Sequence, residues 1–119
     1  MKILIDCGAS NGLAIKELDK KYGTFDKIYA IEPNPENIRQ INSDNSKLIK
    51  LEAAISTAYG NVKLYLSEQY DGSTLYPNKL SGRINCDNFV EVKAIDFSDW
   101  LAQNVNRDDY VVCKMDIEG

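Results

Sequence analysis

The sequence predicts an α/β domain built on a mostly parallel sheet. Three observations lead there. First, short apolar runs alternate with helix-like runs through the first half: "KILIDC", then "LAIKELDKKY", then "KIYAI", then a helix opened by "EPNPENI". Second, "VKLYLS" and "VEVKAI" each alternate apolar and polar residues, which adds an antiparallel pair in the middle of the chain. Third, acids stand at the ends of three strand-like runs: Asp6, Glu32 and Asp116. In open parallel sheets ligands bind beyond the carboxyl ends of the strands, so these acids are expected to converge on one site.

The elements follow in order. Lys2–Cys7 is short, apolar and stopped by a glycine, as a buried strand should be. Leu13–Tyr22 is an amphipathic helix, with Ala14, Ile15, Leu18 and Tyr22 inward and the lysines outward. Ser10 or Asn11 is expected to cap it and Gly23 to end it. Lys27–Ile31 is the second strand. Asn34 caps the next helix and Pro35 takes its first position, where the missing N–H is no loss. Ile38 and Ile41 form its buried side. Leu48–Ile55 is one further apolar run, expected as a single strand. "EQYDGSTLYPNKLSG" is polar, glycine-bearing and aromatic, and is expected as a loop; Tyr70, Tyr76 and "DGSTLYPNK" either form a solvated turn or cover an acceptor site. Phe97–Val105 is a short helix capped by Asp96, with Phe97, Leu101 and Val105 inward beside Trp100. Tyr110–Met115, "YVVCKM", is the last strand.

Bulk properties narrow the function. With 119 residues the chain forms one domain at most. Its 44% hydrophobic and 27% charged composition and mean hydropathy of -0.36 are those of a soluble globular protein. No apolar run spans a bilayer and no signal peptide opens the chain, so a cytoplasmic protein without a membrane partner is expected. A net charge of -4 and a pI near 4.8 argue against nucleic acid as a partner. Cys7, Cys86 and Cys113 show no metal spacing, and Cys7 and Cys113 are expected as buried thiols. The chain has no histidine, which removes the commonest general base and the commonest zinc ligand together.

"DCGASNG", at the first strand-to-helix turn, limits the ligand. A dinucleotide loop needs G-x-G-x-x-G, and here Ser10 takes the place of the second glycine. A Walker loop needs a terminal Gly-Lys-Ser/Thr, which is missing. Glu32 follows at the distance where an acid accepts ribose hydroxyls. An adenosine ligand without a pyrophosphate, carrying a positive end, fits this set. Each residue also has a plainer reading. Asp6 can be a polar strand end, Glu32 an acid favoured by the helix dipole, the glycines turn formers, and Lys114 a side chain reaching for water.

In that order, "DCGASNG", "AIEPNPENI", "LEAAIS", "GSTLYP", "VKAIDFSDWL" and "KMDIEG" resemble the successive motifs of the FkbM family of S-adenosylmethionine-dependent methyltransferases. The resemblance covers nearly the whole chain. It implies a Rossmann-like class I methyltransferase sheet, mostly parallel, with an antiparallel middle insertion and the C-terminal part missing. Residues 1–119 are then a single partial domain that binds S-adenosyl-L-methionine. It implies O-methylation of a sugar or natural-product hydroxyl, with a small molecule or glycan as acceptor. By position, Asp6, Gly8, Ala9, Ser10 and Gly12 resemble the cofactor loop. Glu32 resembles the ribose acid, Pro33 and Asn34 lie near the adenine, and Ala54 and Ile55 flank its ring. Lys114, Asp116 and Glu118 resemble the motif on the reactive side, with Asp116 as base and the other two assisting or orienting. No metal is required. Because the family's domain continues past "KMDIEG", the chain as it stands is expected to bind cofactor weakly or not at all, turn over little and self-associate along the open edge of its last strand. Two other functions are a non-catalytic S-adenosylmethionine-binding fragment and, further off, a nicotinamide-dependent oxidoreductase.

Overall fold

The computed structural model describes residues 1–42, 45–67, 73–75 and 84–117. Ten elements follow one another: β1 (Lys2–Cys7), α1 (Leu13–Tyr22), β2 (Lys27–Ile31), α2 (Pro35–Gln40), β3 (Leu48–Leu51), β4 (Ala54–Ser56), β5 (Gly60–Ser67), β6 (Ile84–Asp96), α3 (Phe97–Asn104) and β7 (Tyr110–Met115). The main sheet has the order β3-β2-β1-β7 and is parallel throughout. The last strand does lie beside the first, with Lys2 opposite Tyr110 and Cys7 opposite Met115. Among the described residues β7 has one sheet neighbour, so its outer side is an edge.

Both faces of this sheet are covered, which is why β1 and β2 read as continuous apolar runs. Leu4, Ile28 and Ala30 face α1 and α2 and pack with Ile15, Ile38 and Ile41. Ile3, Ile5, Tyr29 and Ile31 face the other way, toward Phe97, Trp100 and Leu101 of α3. Trp100 meets the Tyr29 ring edge-on, centroids 4.8 Å apart, and stacks on Phe97 at 5.9 Å. Such aromatic pairs add about 0.5–1.5 kcal/mol to their area burial.

The run expected as one strand is two. Leu48–Leu51 pairs with β2, whereas Ala54–Ser56 pairs in parallel with β6, in a second sheet of order β4-β6-β5. Glu52 and Ala53 make the step between the sheets. The antiparallel pair expected in the middle is β5 and β6, in register from Gly60 opposite Ala94 to Tyr65 opposite Phe89. Its core is Ala54, Leu64 and Val92.

Three smaller expectations change. The cap of α1 is Gly12, at φ +83°, with no side-chain cap bond; Asn11 Oδ1 instead accepts from the Leu13 amide at 3.2 Å. The turn arrives in a left-handed conformation that a serine cap, which needs extended backbone, cannot share. Tyr22, expected inward, is exposed, although its carbonyl accepts from the Lys2 side chain of β1. Cys7 is buried as expected, but Cys113 is exposed on the edge strand. Asn34 and Asp96 cap α2 and α3 as expected, accepting from the Glu36 and Asp99 amides. The side chain of Cys86, and Tyr70 and Tyr76 with most of their loop, lie outside the described residues.

Candidate functional site

A cavity of about 420 Å³ opens at the carboxyl ends of β1, β2 and β7. One side is the β1–α1 turn, another the end of β2, and the far wall is the second sheet. The turn is fixed by its backbone: the Gly8 and Ala9 amides both donate to the Ile31 carbonyl, at 2.9 and 3.1 Å, and the Gly12 amide to Ala9 at 2.8 Å. Ser10 is the one described non-glycine residue with positive φ, +52°. This conformation is uncommon for a residue with a Cβ. It aims the Ser10 amide at Glu32 Oε1, 2.9 Å away.

Glu32 is the hinge of the site. It is buried, its own amide donates to Leu51, and its second oxygen, Oε2, accepts from the Asn34 amide at 2.8 Å. One carboxylate thus joins the β1–α1 turn to the cap of α2. These two amides fix the orientation of the carboxylate.

Gly8 has a different neighbour from the one its place in the motif suggests. A Cβ there would lie 2.1 Å from the Asp116 carbonyl oxygen, and Gly8 has φ +81°. The Asp116 amide in turn donates to the Cys7 carbonyl at 3.0 Å. Glycine at this position is therefore demanded by the exit of β7 as well as by the turn. Gly12 likewise packs against Ile41.

Asp6 is fully buried beneath the cavity. Its Oδ1 accepts from Lys114 Nζ at 3.4 Å, and its Oδ2 has no partner among the described residues. Lys114 also stands 3.8 Å from Asp116 Oδ2, which is largely exposed at the rim. Burial pushes the Asp6 carboxyl above the usual carboxylate range; Lys114 opposes that rise and Asp116 adds to it. A carboxyl raised in this way contributes stability in full below its unfolded value, about 3.9, and loses it as pH rises through the folded value. Asp6→Asn cannot ionise, so its stability should vary less over this acidic range. Urea unfolding from about pH 3 to about pH 7 compares the two; parallel curves would remove Asp6 as the source. Burial also pushes the Cys7 thiol up, as expected of an inert core cysteine.

The cavity lining brings together Gly8, Ala9, Ser10, Glu32, Pro33, Ala54, Ile55, Lys114 and Asp116 from the residues singled out in the sequence. Asp6, Gly12 and Asn34 are not part of that lining, and Glu118 lies outside the described residues. Asn37, Ala53 and Leu64, which the sequence did not single out, also line the cavity, and Ser73, Thr74 and Leu75, from the loop expected either to face water or to cover an acceptor, form a wall of it. That wall is held by two backbone bonds between Thr74 and Tyr65, at 2.7 and 3.0 Å. Asn37 did leave a signal: it is a polar residue four positions before Ile41, on the inward side of α2. Among the described residues no three Cys, Asp or Glu side chains converge as a metal set would, and no helix is long and apolar enough to cross a membrane.

A parallel α/β sheet with an acid-lined cavity at its strand ends defines the class: a doubly covered α/β domain with its ligand site at the carboxyl edge. A family model, the methyltransferase FkbM domain, matches residues 6–119, and the chain belongs to that family. No curated protein and no solved structure matches the chain.

Proposed function

We propose that this methyltransferase uses S-adenosyl-L-methionine to methylate a hydroxyl of a sugar or natural product. The observation that carries this reading is Glu32, a buried carboxylate held by two backbone amides at the edge of the cavity. The residues present fit the cofactor. A carboxylate suits a ribose diol, the apolar wall of Ala53, Ala54, Ile55, Leu64 and Leu75 suits an adenine ring, and acids near the rim suit a positive charge. When bound, S-adenosylmethionine supplies an electrophilic methyl group on a positively charged sulfur.

The chain's own work is alignment and proton removal. Glu32, held by the Asn34 amide, orients the ribose, with Pro33, Ala54 and Ile55 around the base. Asp116, exposed at the rim, takes the proton of the acceptor hydroxyl. Lys114, anchored on Asp6, holds the acceptor oxygen, and Glu118 assists. The proposed partners are a small-molecule or glycan acceptor and, along the outer edge of β7, a second copy of the chain, which light scattering would detect.

Asp116→Asn is expected to leave cofactor affinity within about twofold and to lower methyl transfer by about 100-fold or more, the usual contribution of a positioned base. Calorimetry with S-adenosylhomocysteine and a labelled-methyl assay separate the two quantities. Equal losses in both would make Asp116 a binding residue. Calorimetry also decides between the wider alternatives. Binding of S-adenosylmethionine without any transfer would favour a non-catalytic domain, and binding of NAD in its place would overturn the proposal.

A further inference from the structure

Asn37 has no place in the function described so far. It sits in the first turn of α2, is 8% exposed, and lines the same cavity as Glu32. Its neighbours in α2 are accounted for: Asn34 caps the helix, Glu36 pairs with Arg39 at the surface, and Ile38 packs in the core. Among the described residues the Asn37 carboxamide has no hydrogen-bond partner, and its polar atoms are open to the cavity rather than sealed from it. Polar side chains at the wall of a cavity are satisfied by water or by whatever the cavity holds. The open direction for Asn37 is the cavity it lines.

The chemistry needed there is the one Glu32 cannot supply. An ionised carboxylate only accepts hydrogen bonds, and both Glu32 oxygens face backbone donors already. A ribose diol presents two hydroxyls, each a donor and an acceptor. Glu32 can receive their protons but gives nothing to their oxygens. A carboxamide NH₂ beside it can.

Resting on the cofactor reading above, we infer that Asn37 donates to the ribose diol and, with Glu32, reads it as a donor–acceptor pair. The pair selects a nucleoside with free 2′ and 3′ hydroxyls over deoxy forms and over one with a phosphate at either position. Glu32 repels the phosphate, and Asn37 is left unpaired by the deoxy form.

The test uses S-adenosylhomocysteine and its 2′,3′-dideoxy analogue as probes. By calorimetry, Asn37→Ala and the near-isosteric Asn37→Leu should bind S-adenosylhomocysteine about fivefold more weakly than the wild type, the loss of one neutral hydrogen bond. Both should bind the dideoxy analogue as the wild type does. A merely structural role would weaken both ligands alike, and that result, or no loss at all, overturns the inference. A second measurement needs no variant. In the wild-type chain the Asn37 side-chain NH₂ resonances should shift on adding S-adenosylhomocysteine and stay in place with the dideoxy analogue. Equal movement with both overturns the assignment. A wild type that binds neither probe overturns the cofactor reading itself, whereas binding that Asn37 does not sense overturns only its role.

Discussion

Glu32→Ala is expected to abolish measurable S-adenosylhomocysteine binding and to destabilise the fold by about 2–4 kcal/mol. The two effects share one cause. The carboxylate accepts from the Ser10 amide at 2.9 Å and from the Asn34 amide at 2.8 Å, and alanine leaves both donors without it. Hydrogen bonds to a charged acceptor contribute about 1.5–3 kcal/mol each, and a partly buried amide can recover some of that from water. The β1–α1 turn and the cap of α2 then lose their common tether, and on the proposed reading the ligand loses its ribose acceptor at the same time. Glu32→Gln keeps one acceptor oxygen and should recover part of the stability but little of the affinity. Chemical unfolding and calorimetry on the three proteins measure this. Wild-type stability in Glu32→Ala would show that the tether is idle, and wild-type affinity would remove Glu32 from the ribose.

Gly8→Ala is expected to be still more damaging to the fold, by about 3 kcal/mol or more. Two penalties add. A residue with a Cβ in the left-handed region costs about 1–2 kcal/mol, and Gly8 has φ +81°. The added carbon would also stand 2.1 Å from the Asp116 backbone oxygen, and backbone cannot swing aside as a side-chain tip can. Overpacking of this kind costs about 1–3 kcal/mol. For a domain whose whole stability is about 5–15 kcal/mol, this is a large share. The exit of β7 must shift, taking Asp116 and Lys114 with it, so any methyl transfer should fall as well. Gly12→Ala is the internal comparison. Its Cβ would meet only the Ile41 side chain, at 3.1 Å, so it should cost less than Gly8→Ala. A urea midpoint for Gly8→Ala equal to that of the wild type, or above that of Gly12→Ala, would show that the close approach does not exist.

Much of the fold was legible because it is written in local pattern. The spans of α1, β1, β2 and β7 and the caps Asn34 and Asp96 follow from apolar periodicity and from side chains that bond their own neighbours. The pairing of β5 with β6 was legible from alternation alone. The division of Leu48–Ile55 between two sheets was not. Leu51, Ala53, Ala54 and Ile55 are all apolar, and an apolar run does not record which sheet accepts its hydrogen bonds. The capping of α1 was misread for a related reason: Ser10 and Asn11 are good cap residues, but the turn enters through a left-handed glycine.

The class of the site is already written in local sequence pattern. Acids at the ends of strand-like runs, and a glycine turn lacking a phosphate signature, are local facts, and parallel topology then forces them toward one edge. Tertiary structure alone decided how these residues divide the work. Asp6 and Lys114 are 108 positions apart and meet because β1 and β7 are neighbours. Gly8 answers to the Asp116 carbonyl, a contact no spacing encodes. Asn37 reads as one more polar residue of a short helix until burial and the lack of a partner turn it toward the cavity. Local pattern fixes which backbone conformation a segment prefers. Burial and the pairing of polar groups depend on what arrives from elsewhere in the chain, and these set the chemistry of the site.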